Sequence, residues 1–247
     1  MNLLLTGNGE REKSLRALCE QRGHRLPEHG PWDAVILPLP QSRIDEEYAD
    51  QLPRGQTVVC GKTDAFFDRL ADRRGWDLKK VLEDERFTKE NAALTAEGAV
   101  YTAMAHSDRS LMGAQCLVTG YGRIGRDLTR LLRALGSIVT VAARRRESRE
   151  EAGPNSIDMP DIHDVTGKMD LIFNTVPARV FSIDALRRIR LHALLIDLAS
   201  APYGVDPADA ENLGVQYRLE SGLPGRYCPL SAAMILLDYV EREVRHE

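Results

Sequence analysis

The sequence has little of what would tie a protein to a membrane, a nucleic acid or an oxidising compartment. Its four cysteines, Cys19, Cys60, Cys116 and Cys228, stand at least 41 positions apart. No pair has zinc-ligand or Cys-x-x-Cys spacing, and a chain of 247 residues does not need stapling, so buried thiols in a reducing cytoplasm are expected. No apolar run approaches the ~18 residues of a membrane-spanning helix. The stretch from Met1 to Gly7 lacks the basic leader and apolar length of a secretion signal, and none is expected.

Excess positive charge is also missing. Thirty-three basic against 37 acidic residues give a net charge of −4, which removes the broad attraction to nucleic acid or an anionic membrane surface and leaves only a local basic patch. Lysine is scarce: six lysines stand beside 27 arginines, an excess read for most positions as a base-composition habit of the genome. Neither a G-x-S-x-G elbow nor a Walker A lysine occurs. The six histidines are scattered without metal-ligand spacing, so no metal site is expected. With no nucleophile–base pair in view, difficult chemistry would fall to a bound cofactor, as in hydride transfer.

What is present is a core-forming chain, 43% apolar and 28% charged. Strand-length apolar runs alternate with helix-length periodic segments, the pattern of parallel sheets covered by helices. Strands are expected at Asn2–Thr6, Asp33–Leu37, Gln56–Cys60, Gln115–Thr119, Ile138–Ala142, Leu171–Thr175, Leu194–Leu198 and Val215–Arg218. Helices are expected near Glu12–Gln21, Asp64–Arg73, Thr88–His106, Arg123–Leu135, Ile183–Ile189 and Pro229–Arg245, with Ser148–Pro160 the least regular stretch and no internal repeat. The fold class is therefore α/β, with two Rossmann-like or flavodoxin-like parallel-sheet domains linked by crossing helices. Residues 1–90 form a substrate-side domain and 91–247 a dinucleotide domain, with the helix from 229 packing back on the first and a cleft between the two.

Gly120-Tyr121-Gly122-Arg123-Ile124-Gly125 fits G-x-G-x-x-G, between the buried run Cys116–Thr119 and a helix whose Ile124, Leu128, Leu131, Leu132 and Leu135 recur on one face. Gly120 makes the tight turn, Gly122 lets the backbone approach a pyrophosphate, and Gly125 lets the helix pack on the strand. The helix N-terminus then offers free N–H groups to phosphate. The following strand ends Ala142-Ala143-Arg144-Arg145, with no carboxylate before Glu147. A carboxylate there would bind the ribose hydroxyls of NAD, whereas Arg144 and Arg145 can clamp a 2′-phosphate, so NADP is expected over NAD. Other strand ends supply Asn174-Thr175-Val176-Pro177 and Asp197 to Ser200. Asn174 and Thr175 are read either as contacts to the nicotinamide ribose or as turn chemistry. Asp197 is read as a structural carboxylate, Ser200 as a turn residue or a ligand group, and Ser231 as a helix cap or a ligand group.

Thr95-Ala96-Glu97-Gly98-Ala99, the Gly120–Gly125 loop, Ala142-Ala143-Arg144, Ile172–Pro177, Leu195–Pro202 and Gly222-Leu223-Pro224-Gly225 occur in one order from about Asn91 onward. In these blocks the chain resembles the A subunit of dipicolinate synthase. The resemblance implies a cytoplasmic, spore-formation enzyme that oxidises dihydrodipicolinate to pyridine-2,6-dicarboxylate with NADP(H). It also implies the flavoprotein-like B subunit of that synthase as partner, and a homo-oligomer is expected. It carries the pyrophosphate to Gly120, Gly122, Arg123, Ile124 and Gly125, the 2′-phosphate to Arg144, and the nicotinamide to Asn174, Thr175 and Pro177. Tyr121, Ala143, Arg145 and Val176 join the cofactor set. Thr95, Ser200, Gly222, Leu223, Pro224, Gly225 and Ser231 would surround the dicarboxylate, with Glu97, Thr95 and Ser200 the catalytic candidates. Thr95 would open a helix whose N–H groups favour carboxylates. Leu94 stands where the family has Pro, and Tyr203-Gly204 follows Pro202 where it has Gly-Gly. Two alternatives remain: an NADP-dependent oxidoreductase of another small carboxylate, as in shikimate-dehydrogenase-like enzymes, and a non-catalytic NADP-binding regulatory subunit.

Overall fold

The computed structural model describes residues 1–40 and 44–244. It divides into two compact units, Met1–Leu94 with the segment from Pro224 on, and Thr95–Leu223.

In the first unit, β1 (Leu3–Leu5), α1 (Glu10–Gln21), β2 (Ala34–Ile36), α2 (Glu46–Asp50), β3 (Thr57–Cys60), α3 (Ala65–Arg74) and β4 (Asp77–Lys80) follow in turn. The four strands make one parallel sheet in the order β1-β2-β3-β4. Two helix boundaries follow directly from side-chain chemistry. Asp64 accepts from the Phe67 N–H at 2.9 Å and starts α3, and Gly75, at φ +66°, ends it in the left-handed conformation. The sheet is covered on both faces. Phe67, Leu70 and Trp76 bury Val35 and Val58 on one side, while Leu15, Leu18, Leu236, Leu237 and Val240 bury Leu3, Ile36 and Val59 on the other. Each buried leucine contributes about 2 kcal/mol.

The helix α4 (Glu85–His106) begins in the first unit and runs into the second. There follow β5 (Gln115–Thr119), α5 (Arg123–Ala134), β6 (Ile138–Ala142), α6 (Arg146–Ala152), β7 (Ser156–Ile157), α7 (Ile162–Val165), β8 (Leu171–Asn174), α8 (Ile183–Arg187), β9 (Leu194–Asp197), α9 (Pro207–Asn212) and β10 (Gln216–Leu219). The six strands are parallel in the order β10-β9-β8-β5-β6-β7. Strand order reverses beside β5, the point where such sheets open a ligand crevice. The short α10 (Leu223–Tyr227) leads back to α11 (Pro229–Glu243), which packs on α1, with Arg22 bridging to Asp238 at 2.5 Å and Glu241 at 3.1 Å.

The α/β class with two parallel sheets is as expected from the alternation. Several local expectations are corrected. Asp77–Lys80 is a strand, although its Asp-Leu-Lys-Lys sequence has no apolar run, because it occupies a sheet edge. The stretch Ser148–Pro160 is not irregular: α6 and β7 lie within it. Thr95 does not open a helix, since α4 starts ten residues upstream at Glu85, where the Asp84 carboxylate accepts from the Phe87 N–H at 2.6 Å. Arg245, the expected end of the last helix, lies outside the described residues.

Candidate functional site

The turn after β5 is built so that only glycine fits. Gly120 has φ +90°, and a Cβ there would lie 2.4 Å from Thr175 Oγ1 and 2.9 Å from Val176 Cγ2. A Cβ on Gly125 would lie 2.2 Å from the Gly120 carbonyl oxygen, so its absence lets α5 start against the strand. At Gly122 the opposite holds: nothing lies within 4 Å, and the backbone faces open space. Gly122 is the N-cap of α5 and supplies no side-chain acceptor, which leaves the first N–H groups of a 12-residue helix to another partner. Arg123 is exposed at the first helical position, and Ile124 is half-buried beside it.

This turn forms one wall of a cavity of about 180 Å³. Of the residues expected at the cofactor, Gly120, Tyr121, Gly122, Ala143, Arg144, Arg145 and Val176 line it. Ser148 and Met159 also line it and were not anticipated. The lining contains two arginines and no carboxylate. Arg149, likewise unforeseen, shapes its floor by donating from Nη1 to the carbonyls of Ala143 and Arg144, each at 2.8 Å, and pairing with Asp158 at 3.2 Å. Those bonds hold the backbone in place while the Arg144 and Arg145 side chains stay exposed. Tyr121 lies under Arg126, whose guanidinium carbon is 5.4 Å from the ring centroid, and Arg126 bridges to Glu151 at 2.6 Å.

A nicotinamide dinucleotide fits this arrangement. An uncapped helix N-terminus, an open glycine, and a cavity with cationic side chains and no opposing acid are what its phosphates need.

Neighbouring strand ends bear a closed polar network. Asn174, fully buried, donates from Nδ2 to the Val176 carbonyl at 3.0 Å and to Asp197 Oδ1 at 2.7 Å, while its Oδ1 accepts from Thr119 Oγ1 at 2.6 Å and Val176 N–H at 3.1 Å. All its hydrogen-bonding capacity is spent inside the protein, so the expected side-chain contact to a nicotinamide ribose is corrected. Asp197 is the structural carboxylate expected of it: it also accepts from the N–H groups of Ala199 at 3.1 Å and Gly204 at 2.7 Å, and from the Tyr217 hydroxyl at 3.3 Å. Burial, and then the Asp197 charge, push the Tyr217 phenol well above its usual range. Gly204 is required here, since a Cβ would lie 2.3 Å from Asn174 Nδ2. Thr175 is half-buried and donates to the Thr119 carbonyl at 2.8 Å, and Pro177 is exposed next to it. Ser200 is exposed just beyond β9, and its carbonyl closes a turn by accepting from the Tyr203 N–H at 3.0 Å.

The remaining candidates fall in different units. In the second, Thr95 is buried in the middle of α4 and Glu97 is exposed on the same helix. Gly222 has φ +64°, and Leu223 packs on Gly98, where an added Cβ would meet Leu223 Cβ at 2.8 Å. Thr95–Gly98 and Gly222–Leu223 are thus brought together. In the first unit, Pro224 is buried and Gly225 lies over the side chain of Arg11. Ser231 is exposed in the first turn of α11, but the cap position is Cys228, so a capping role is excluded. Among the described residues no group of three or more His, Cys, Asp or Glu side chains can hold a metal ion, and no helix is long and apolar enough to cross a membrane.

A model of the D-isomer specific 2-hydroxyacid dehydrogenase NAD binding domain matches residues 79–208. The A subunit of dipicolinate synthase from Bacillus subtilis (strain 168) is 28% identical over 202 residues, which cover 81% of this chain and 68% of that protein. The crystal structure of the dipicolinate synthase A subunit from Bacillus halodurans is similar with a TM-score of 0.87 at 25% identity, over 100% of this chain and 98% of that one. The dipicolinate synthase A chain from Bacillus subtilis follows with a TM-score of 0.82 at 25% identity, over 99% and 97%. The resemblance read from the sequence blocks is borne out.

Proposed function

The chain belongs to the family of the D-isomer specific 2-hydroxyacid dehydrogenase NAD binding domain, and from that premise we propose that it is an NADP-dependent dehydrogenase oxidising dihydrodipicolinate to pyridine-2,6-dicarboxylate. The family and its relatives support an oxidoreductase with a nicotinamide cofactor. The observation that carries the choice of NADP is the cavity beside Gly122: Arg144 and Arg145 line it and no carboxylate does. A carboxylate would repel a 2′-phosphate, and paired guanidinium groups bind one.

In this reading Gly120, Gly122 and Gly125, with Arg123 and Ile124, hold the pyrophosphate at the α5 N-terminus. Arg144 and Arg145 hold the 2′-phosphate, and Tyr121, Ala143 and Val176 wall the cavity. Thr175 and Pro177 border the nicotinamide side, and Asn174 acts only by positioning that strand end. When bound, the oxidised cofactor supplies the two-electron acceptor. Conversion of the dihydropyridine to the aromatic ring releases one hydride equivalent and one proton. Glu97, an exposed carboxylate, accepts that proton directly or through water, and Thr95 and Ser200 orient the substrate with Gly222–Gly225 and Ser231. The arginine-rich surroundings offset the charge of a dianion.

The names of the relatives, each one part of a synthase, support a flavoprotein-like second subunit, which would be the partner, and a homo-oligomer is part of the same proposal. A spore-forming, cytoplasmic setting follows from those names alone. One observation favours a second reading, a regulatory subunit that holds NADP without chemistry: Glu97 and Ser200 are both exposed, so neither is desolvated as a strong base would be.

The deciding experiment follows reduced-nicotinamide absorbance with freshly prepared dihydrodipicolinate and NADP, with and without the second subunit. Substrate-dependent reduction supports the dehydrogenase. NADPH binding without turnover under either condition supports the regulatory reading and overturns the first.

A further inference from the structure

The glycine turn of the second unit occurs again in the first. Thr119-Gly120-Tyr121-Gly122 leads from β5 into α5, and Thr6-Gly7-Asn8-Gly9 leads from β1 into α1. Gly120 and Gly7 share the left-handed backbone, at φ +90° and +85°, and Gly122 and Gly9 are extended N-caps without a side-chain acceptor. The first turn is as constrained as the second: a Cβ on Gly7 would lie 2.6 Å from Pro38 Cγ, and Arg16 donates to the carbonyls of Leu5 at 3.0 Å and Gly7 at 3.1 Å. The 12-residue helix α1 therefore begins at the carboxyl edge of its sheet with its first N–H groups uncapped.

A second, independent feature lies in that first turn. Arg11 is 6% exposed, and its Nε is buried with no hydrogen-bond partner. Its one direct bond is long, from Nη1 to the Leu39 carbonyl at 3.5 Å, and it forms no ion pair among the described residues. Helical side chains lean toward the N-terminus, so Arg11, second in the helix, is aimed at the uncapped end. Gly225, reached through the Gly222–Gly225 segment, lies above the guanidinium: a Cβ there would be 3.5 Å from Arg11 Cζ and Nε. A guanidinium withdrawn from water and left unpaired is costly, a cost that proteins offset where a ligand supplies the missing anion.

We propose that the first unit carries a second anion cradle at the N-terminus of α1, in which Arg11 binds a small carboxylate. The companion residues select against phosphate. Where the second unit has Gly125, the first has Glu12, 8% exposed and directed back toward Gly9, where an added Cβ would be 2.4 Å from its Oε2. That fixed negative charge disfavours a phosphate dianion and tolerates a singly charged carboxylate, which a guanidinium meets edge to edge. The proposal rests on the dehydrogenase reading only for the choice of probe.

The test titrates the full-length protein with pyridine-2,6-dicarboxylate and with malonate by calorimetry. The wild type, Arg11→Lys and Arg11→Met are compared, and NADPH binding is read by fluorescence. The expected result is binding of at least one carboxylate, weakened about tenfold or more in Arg11→Met and less in Arg11→Lys. NADPH affinity stays within about twofold, and inorganic phosphate fails to displace the carboxylate. Without ligand, Arg11→Met melts at or above the wild-type temperature, because an unpaired buried charge has been removed. Wild-type affinity in Arg11→Met, no binding of either carboxylate to the wild type, displacement by phosphate, or a markedly lower melting temperature of Arg11→Met each overturns it. Absence of turnover with intact, Arg11-dependent carboxylate binding would count against the dehydrogenase reading instead.

Discussion

Asn174 and Asp197 meet side chain to side chain at the ends of adjacent strands, with amide Nδ2 2.7 Å from carboxylate Oδ1 and both residues fully buried. The contact ties β8 to β9 at the edge where the cofactor turn lies. Asp197→Ala would leave Asn174 Nδ2, two loop N–H groups and the Tyr217 hydroxyl without their acceptor. A loss of about 3 kcal/mol or more in urea unfolding is expected. A change under ~1 kcal/mol would mean that water takes over the role of the carboxylate.

Gly122 and Gly125 make opposite predictions from one motif. Gly122→Ala places a methyl in open space, so unfolding free energy should change by less than ~1 kcal/mol while NADPH affinity falls about tenfold. Gly125→Ala drives a methyl against the Gly120 carbonyl and should lower both stability and affinity. Equal NADPH binding by Gly122→Ala and the wild type would remove the turn from the cofactor site.

Arg144 and Arg145 should set cofactor preference. Replacing both by Ser is expected to weaken NADPH binding by about ten- to a hundredfold and leave NADH binding within about threefold, since charge-assisted hydrogen bonds contribute ~1.5–3 kcal/mol each. Fluorescence titration with both nucleotides measures this. A parallel loss for both would assign the arginines to the shared pyrophosphate.

Alkaline pH should expose the buried thiols. Burial raises Cys19 and Cys116 to about 11 and Cys60 to about 12, against 9.0 for a free thiol. The folded state thus keeps protons that the unfolded chain releases, so this stability is complete below pH 9.0 and falls as pH rises toward about 11. The slope is about 1.4 kcal/mol per thiol per pH unit. Urea melts of the wild type and Cys60→Ala across this window should differ in slope by roughly one proton, and identical slopes would count against it. At neutral pH a thiol reagent should reach half-buried Cys228 first.

Much of the second unit could be read directly. Its strands β5 and β6 run as expected, because buried apolar runs closed by glycine or a polar turn leave one reading. Asp77–Lys80 escaped notice because an edge strand need not be apolar, and α6 because its arginines look like a solvated run. Thr95 was misplaced because the polar residues Glu85–Glu90 gave no periodic signal, although Asp84 was an adequate cap. At the site, Gly120–Gly125 and Arg144–Arg145 could be read from spacing. Ser148, Met159 and Arg149 reach the cavity through the path of α6, which no local pattern announces. The direction of the Asn174 amide was equally hidden, since a strand end does not reveal which way its side chain turns.

The placement of α11 on α1 also has a consequence for synthesis. Leu236, Leu237 and Val240 complete a core begun by Leu3 and Leu15, so that core stays open on the ribosome until nearly the whole chain has emerged. The contiguous span Thr95–Leu223 has no such dependence and can close first. The order of folding then runs against the order of translation, and the apolar face around Leu3, Leu15 and Ile36 is the surface a chaperone would meet.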